Sequence, residues 1–181
     1  MDEKSNTAAA TGEQTIAYVV IDSLNTQYTF CKDYGNVLQK KYQNIQRTLG
    51  QKSDALQQAA ANFQQKLQQN AYTQEQAQSI SANLQRQQQQ LQELQARLGS
   101  EFDEEQLKYN NALRDSLQNF LKQYNKDKKY AMILSKSGDN ILYADKALDI
   151  TADVINGLNK AYKPGKELKA AKEEKKEEKK K

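Results

Sequence analysis

The sequence predicts an α+β fold in which a long antiparallel helical hairpin, a coiled-coil tentacle, is inserted between the strands of a small β-body. Three observations lead there. From about Gly35 to Lys126 there is no proline, and Ala, Leu, Gln, Lys, Arg and Glu fill most positions, which favours helix. The strand-like runs lie on either side of that stretch, at Ile16 to Ile21 and after Tyr130. Finally, although 37% of the 181 residues are apolar, Gly50 to Gln95 is dominated by Gln, Ala, Asn and Ser, so that stretch forms an elongated, water-exposed element rather than a core.

Taken in order, residues 1–15 are a polar, disordered spacer in which Asp2, Glu3 and Lys4 follow Met1 at once, unlike a secretory signal. Ile16-Ala17-Tyr18-Val19-Val20-Ile21 is β-branched and aromatic, and Asp22-Ser23 supplies a stop and an N-cap for a helix starting near Leu24. Residues 16–35 and 128–163 form the β-rich body, and residues 36–127 form the hairpin, with its tip near 70–73.

On the first arm, Leu38, Tyr42, Ile45, Leu49, Leu56, Phe63 and Leu67 recur at spacings of three, four and seven, a heptad seam with polar gaps such as Lys52. Asn70-Ala71-Tyr72 interrupts it. Thr73 then stands three residues before Gln76, the capping-box spacing that opens a second helix. Its apolar positions run Ile80, Leu84, Leu91, Leu94, Leu98, Phe102, Tyr109, Leu113, Leu117, Phe120, Leu121 and Tyr124. Beyond Leu91 the spacing drifts from sevens towards elevens, which predicts a nearly straight segment.

After the hairpin, Tyr130 to Leu134 and Ile141 to Ala144 flank a turn containing Gly138-Asp139, the pattern of a β-hairpin. Thr151 is placed to cap a short helix, with Ile150 and Ile155 set for a hydrophobic staple and Val154, Leu158 and Tyr162 on the buried side, before Pro164-Gly165 ends it. Residues 164–181 are a disordered Lys/Glu tail. Residues 163–181 hold nine Lys and five Glu, so they carry the entire net charge of +4. Three short strands that are apolar on both faces bury too little surface to stand alone, and oligomerisation through the sheets would also cover their edges.

Chemistry is tightly bounded. With no His, every His-based triad, dyad and zinc site is excluded. The lone Cys31, beside Phe30, makes no internal disulfide and reads as a small buried hydrophobe. Glu101, Asp103, Glu104 and Glu105 spread over a solvated helix face, and Asp145, Asp149 and Asp153 lack the glycine and spacing of a calcium loop. No phosphate-cradling glycine motif occurs, so no cofactor and no enzymatic activity are expected, and nucleic acid is disfavoured as a partner because Glu is interspersed through the Lys-rich tail. The Gln-rich arms make a poor structural coiled coil but a wet surface dotted with isolated apolar side chains, suited to loose contact with many partners. The candidate contacts are Tyr42, Leu56, Phe63, Leu67 and Tyr72 on the first arm and tip, with Ile80, Leu84, Leu91, Phe102 and Tyr109 on the second.

The strand IAYVVID followed by Ser23-Leu24, the long polar hairpin, and then YAMILSKSGDNILYADKALDITADVINGLNKAY resemble the Skp/OmpH family of periplasmic chaperones. The specific part is Leu142-Tyr143-Ala144 leading to Leu148-Asp149-Ile150-Thr151. The Gln/Asn/Tyr-rich composition is similar to members from Bacteroidetes-like bacteria. The resemblance implies a homotrimer whose β-body anchors three tentacles around a cavity that holds unfolded outer-membrane proteins without ATP. By position it makes Ile16, Tyr18, Val19, Val20 and Ile21, Met132, Ile133 and Leu134, Ile141, Leu142 and Tyr143, and Ile150, Val154 and Ile155 residues of the trimer body. It carries over no catalytic residue. It implies the periplasm, with residues 2–14 as the spacer after a cleaved signal or a lipoprotein anchor. The sequence departs from the family in being formally neutral outside the tail, and in the tail itself, whose lysines offer a contact to anionic lipid. The competing reading is a structural or adaptor coiled coil of the cell envelope that docks onto one specific partner, which a Leu-rich, strictly heptadic seam would favour.

Overall fold

A computed structural model describes residues 15–165 except Lys129. The expected spacer, but for Thr15, and the tail beyond Gly165 lie outside the described residues. The elements are β1 (Ile16–Val20), α1 (Ile21–Gln27), α2 (Thr29–Gln68), α3 (Gln74–Lys128), β2 (Met132–Lys136), a 3-10 turn (Lys146–Leu148) and α4 (Thr151–Ala161). They fall into two units, a body from residues up to Lys32 together with Leu113–Pro164, and an arm over Asp33–Ala112.

In the body, β1 and β2 pair in parallel, from Ile16 opposite Met132 to Val20 opposite Lys136. Parallel pairing needs a long crossover, and here the helical hairpin supplies it. Side chains alternate along a strand, so Ala17 and Val19 share one face of β1 and Tyr18 points to the other; all three are buried. Leu24 of α1 and Ile150, Val154, Ile155 and Leu158 on and before α4 complete the core. Fully burying a side chain such as Leu24 or Val154 contributes about 1.5–3 kcal/mol.

The expected β-hairpin does not form. Gly138, at φ +52°, turns the chain, but Ile141 to Tyr143 are not a strand, and the described sheet has two strands rather than three. The physical reason is that the Asn140 side chain closes the turn on itself, accepting from the Ser137 N–H at 2.9 Å and donating to the Ser135 carbonyl at 2.8 Å. The backbone then crosses to the far edge of β1, where Asp149 bridges Tyr18 and the Ile150 N–H donates to the Tyr18 carbonyl at 3.0 Å.

Two capping expectations also change. Strand β1 ends at Val20 and α1 begins at Ile21, so Asp22 lies in its first turn instead of before it. Ile150, not Thr151, is the N-cap of α4. The Thr151 hydroxyl instead accepts from the Val20 N–H at 2.8 Å, while the Asp149 carboxylate accepts from the Thr151 N–H at 2.9 Å. A hydroxyl that satisfies the orphan amide at the end of β1 is not free to cap its own helix. At the break between α1 and α2, Tyr28 is extended, and Asn159 of α4 spans the gap, accepting from the Thr29 N–H at 2.8 Å and donating to the Gln27 carbonyl at 3.2 Å. Tyr28, Phe30 and Tyr162 pack ring to ring at 5.6–5.9 Å. Helix α4 approaches α3 so closely that a Cβ on Gly157 would sit 2.2 Å from the Phe120 ring.

In the arm, α2 and α3 run antiparallel, with Tyr34 against Tyr109, Tyr42 against Phe102 and Lys41 against Glu105. Asn70, at φ +52°, ends α2 in a Schellman motif, with Asn70 N–H donating to Leu67 and Ala71 N–H donating to Lys66. The capping box forms as its spacing predicts: the Gln76 N–H donates to the Thr73 hydroxyl at 3.2 Å, and the Thr73 N–H donates to the Gln76 side chain at 3.0 Å.

Candidate functional site

The arm is built around a seam that never closes. Between Asp33 and Ala112 no residue is buried. Of the ten candidate contacts, Tyr42 and Leu67 are 52% and 47% exposed. Leu56, Phe63, Tyr72, Ile80, Leu84, Leu91, Phe102 and Tyr109 are half-buried. The structure brings several together: Tyr42 meets Phe102 with ring centres 5.9 Å apart, and Phe63 meets Tyr72 at 5.9 Å by the tip. Leu56 and Leu91 line one hollow of about 190 Å³, bordered by Lys52, Gln87 and Gln90. A larger one, about 440 Å³, opens between Val37, Ile45, Leu94 and Leu98. Ring contacts such as Tyr34 on Tyr109 and Tyr42 on Phe102, with Lys41 on Glu105, join the helices and leave hollows between them.

Electrostatics in the arm are local. Lys41 pairs with Glu105 at 3.8 Å and Arg97 with Glu101 at 3.9 Å, both in reach of water, where such pairs contribute little. Leu107, 60% exposed, escaped the sequence reading because it falls outside the seam spacing that singled out Phe102 and Tyr109. An apolar residue off the seam is itself the signal that could have found it.

The body candidates divide into three sets. Tyr18, Val19, Ile150, Val154 and Ile155 are buried in their own chain's core. Ile16, Met132 and Leu134 are exposed at 43%, 54% and 37%, and Leu142 and Tyr143 at 92% and 83%; Val20, Ile21, Ile133 and Ile141 lie between. Burial pushes the Tyr18 hydroxyl's pKa up, aided by the Asp149 and Asp145 carboxylates. Tyr124 is pushed up to about 12 by burial and by Asp153, whose carboxylate accepts its hydroxyl at 3.1 Å. Neutral tyrosines among carboxylates are hydrogen-bonding struts, and the arrangement offers apolar and amide contact over a wide surface.

Comparison with known proteins identifies the family and the fold. Residues 15–158 match the family described as outer membrane protein (OmpH-like). The chain belongs to that family. The OmpH-like fold is seen again in the crystal structure of a candidate OmpH-like outer membrane chaperone from Caulobacter crescentus CB15, with a TM-score of 0.73 at 18% identity over 85% of this chain and 89% of that one. No curated protein matches. At that identity the likeness to the solved structure is one of fold.

Proposed function

We propose that this OmpH-like protein is an ATP-independent holdase of the periplasm that keeps unfolded outer-membrane proteins from aggregating. It works as a homotrimer, with residues 36–127 of each copy forming one wall of a shared cavity and residues 16–35 with 128–163 forming the common body. Family membership and the fold shared with a candidate chaperone support the reading. The observation that carries it is the arm's open seam: no residue there is buried, and half-exposed aromatic and aliphatic side chains recur along Gln-rich helices. Such a surface gives an unfolded chain many weak apolar contacts and no deep site, so clients are held without being fixed in one conformation. The exposed body residues Met132, Leu134, Leu142 and Tyr143 are the side chains a trimer contact would cover. Residues 2–14 are the spacer that follows a cleaved signal or a lipoprotein anchor, and the tail's lysines offer a contact to anionic lipid.

The test is dilution of a urea-denatured outer-membrane β-barrel protein into buffer with this protein and no nucleotide, followed by light scattering. Suppression at stoichiometric ratios is expected. Unchanged aggregation would remove the holdase reading and leave the adaptor.

A further inference from the structure

Charge is not spread evenly along the arm. Residues 55–92, which include the tip, hold fifteen glutamines and three charged side chains, Lys66, Glu75 and Arg86. The remainder of the arm, 33–54 and 93–112, holds six glutamines and thirteen charged side chains. Among the described residues the arm's ion pairs, Lys41 with Glu105 and Arg97 with Glu101, lie in that remainder. All fifteen glutamines of the tip half are exposed. Helix formation does not explain them, because Lys, Arg and Glu match Gln in propensity at an exposed position.

A surface without charge sets up no field that would concentrate a polypeptide of one sign and repel one of the other. It is also less costly to dehydrate than a charged one. Carboxamides add a means of recognition: each offers two N–H donors and a carbonyl acceptor, the same groups a peptide backbone presents, so a glutamine can bond an extended main chain whatever its sequence. Such pairing occurs within the arm itself, where the Gln87 side chain donates to the Asn83 carbonyl oxygen at 2.8 Å. The hollow of about 190 Å³ brings both kinds of contact together, being lined by Leu56, Leu91 and Leu94 with Gln87 and Gln90, and by Lys52 from the charged remainder. An apolar client side chain lodged there lays its backbone against those carboxamides.

We infer that residues 55–92 are a charge-blind grip for extended polypeptide. Exposed glutamine carboxamides bond the client's main chain, the apolar residues between them take its side chains, and unfolded chains of net positive and net negative charge are held alike. The inference rests on the holdase reading above and names the class of client that surface admits, one wider than outer-membrane barrels.

Fluorescence anisotropy tests it with one backbone in two charge states: reduced, iodoacetamide-alkylated lysozyme, which is basic, and the same chain succinylated at its lysines, which is acidic. At about 0.05 M salt, where charge effects are least screened, the two should bind within about threefold of each other. A larger preference for either would overturn the charge-blind grip. The quadruple variant Gln57→Ala, Gln64→Ala, Gln87→Ala, Gln90→Ala keeps good helix formers at exposed positions and should weaken binding of both forms about threefold or more. Unchanged binding would overturn the carboxamide contact. With lysine at the same four positions, a preference for the succinylated chain should appear, and its absence would show that clients do not touch this half of the arm. Failure to bind either lysozyme form while a denatured outer-membrane barrel protein is still held would sink the wider client class alone. Failure with all three clients would sink the holdase reading on which it depends.

Discussion

The body and the arm of this chain solve opposite problems with the same residue types. In the body, Ala17, Leu24, Val154 and Leu158 are at most 2% exposed, and the polar side chains of Thr151 and Asn159 are spent on backbone groups at element ends. In the arm, helices of 40 and 55 residues meet along a seam where no residue between Asp33 and Ala112 is buried. Glycine shows the contrast in miniature. Gly157 is required, because any Cβ would collide with Phe120, whereas Gly50 and Gly99 have nothing within 4 Å of a would-be Cβ. A specified core and an unfilled seam can coexist in one small protein because local helix capping, rather than packing, defines the arm.

The sharpest way to break that comparison is truncation on each side. Leu24→Ala should cost about 2–5 kcal/mol, the usual range for a buried leucine, while Leu91→Ala on the half-open seam should cost under about 1 kcal/mol by the lower area it removes from water. Urea denaturation of both variants measures this. Equal losses would mean that the arm is as well packed as the body. Next in size is Gly157→Ala, where overpacking against Phe120 should cost about 1–3 kcal/mol, with Phe120→Leu in the same chain restoring part of it.

Smaller and of opposite sign is Gly50→Ala with Gly99→Ala. Each should stabilise the arm by about 1 kcal/mol from helix propensity alone, read as slower amide exchange over residues 40–60 and 90–110. The smallest effect is alkaline. Because Tyr124 is raised to about 12 in the folded body, the unfolded chain loses this proton first as pH climbs from about 10. The tyrosine's contribution is therefore complete below about pH 10 and disappears as pH rises through about 12. Tyr124→Phe should flatten that decline in thermal midpoint, and an unaltered slope would show that the Asp153 bond does not persist in solution.

How much of this was legible in the sequence depended on the range of the interactions concerned. The capping box at Thr73 and Gln76 and the turn at Asn70 are set by residues within a few positions of one another, and they were readable. The strand after the hairpin was readable as an unbroken apolar run and its pairing with the first strand was expected, but the absence of a third strand was not readable. Nothing local in Tyr130 to Ala144 shows that Asn140 will close its own turn and send Ile141 to Tyr143 away from β2. Likewise Thr151 looked like a cap because its distant alternative, the Val20 amide, is brought near only by tertiary folding. For the candidate contacts, periodicity found the seam residues but could not tell half-buried Phe102 from exposed Tyr42, and it passed over Leu107, which lies outside the period.

The central claim is that unfolded clients are held by dispersed apolar contacts on the arm. Its most direct test is to titrate one labelled, unfolded outer-membrane barrel protein against the wild-type chain and against Tyr42→Ser, Leu67→Ser, Leu107→Ser combined, at about 0.05 and 0.5 M salt, where screening lengths differ several-fold. All three side chains are about half-exposed or more and none is part of the core, so helix content and oligomer mass should not change. The account predicts capture weakened about tenfold or more by the triple variant, a loss of roughly 1.4 kcal/mol or more, and only a slight effect of salt on the wild type. A triple variant that captures as tightly as the wild type, or wild-type capture abolished by salt, would contradict it.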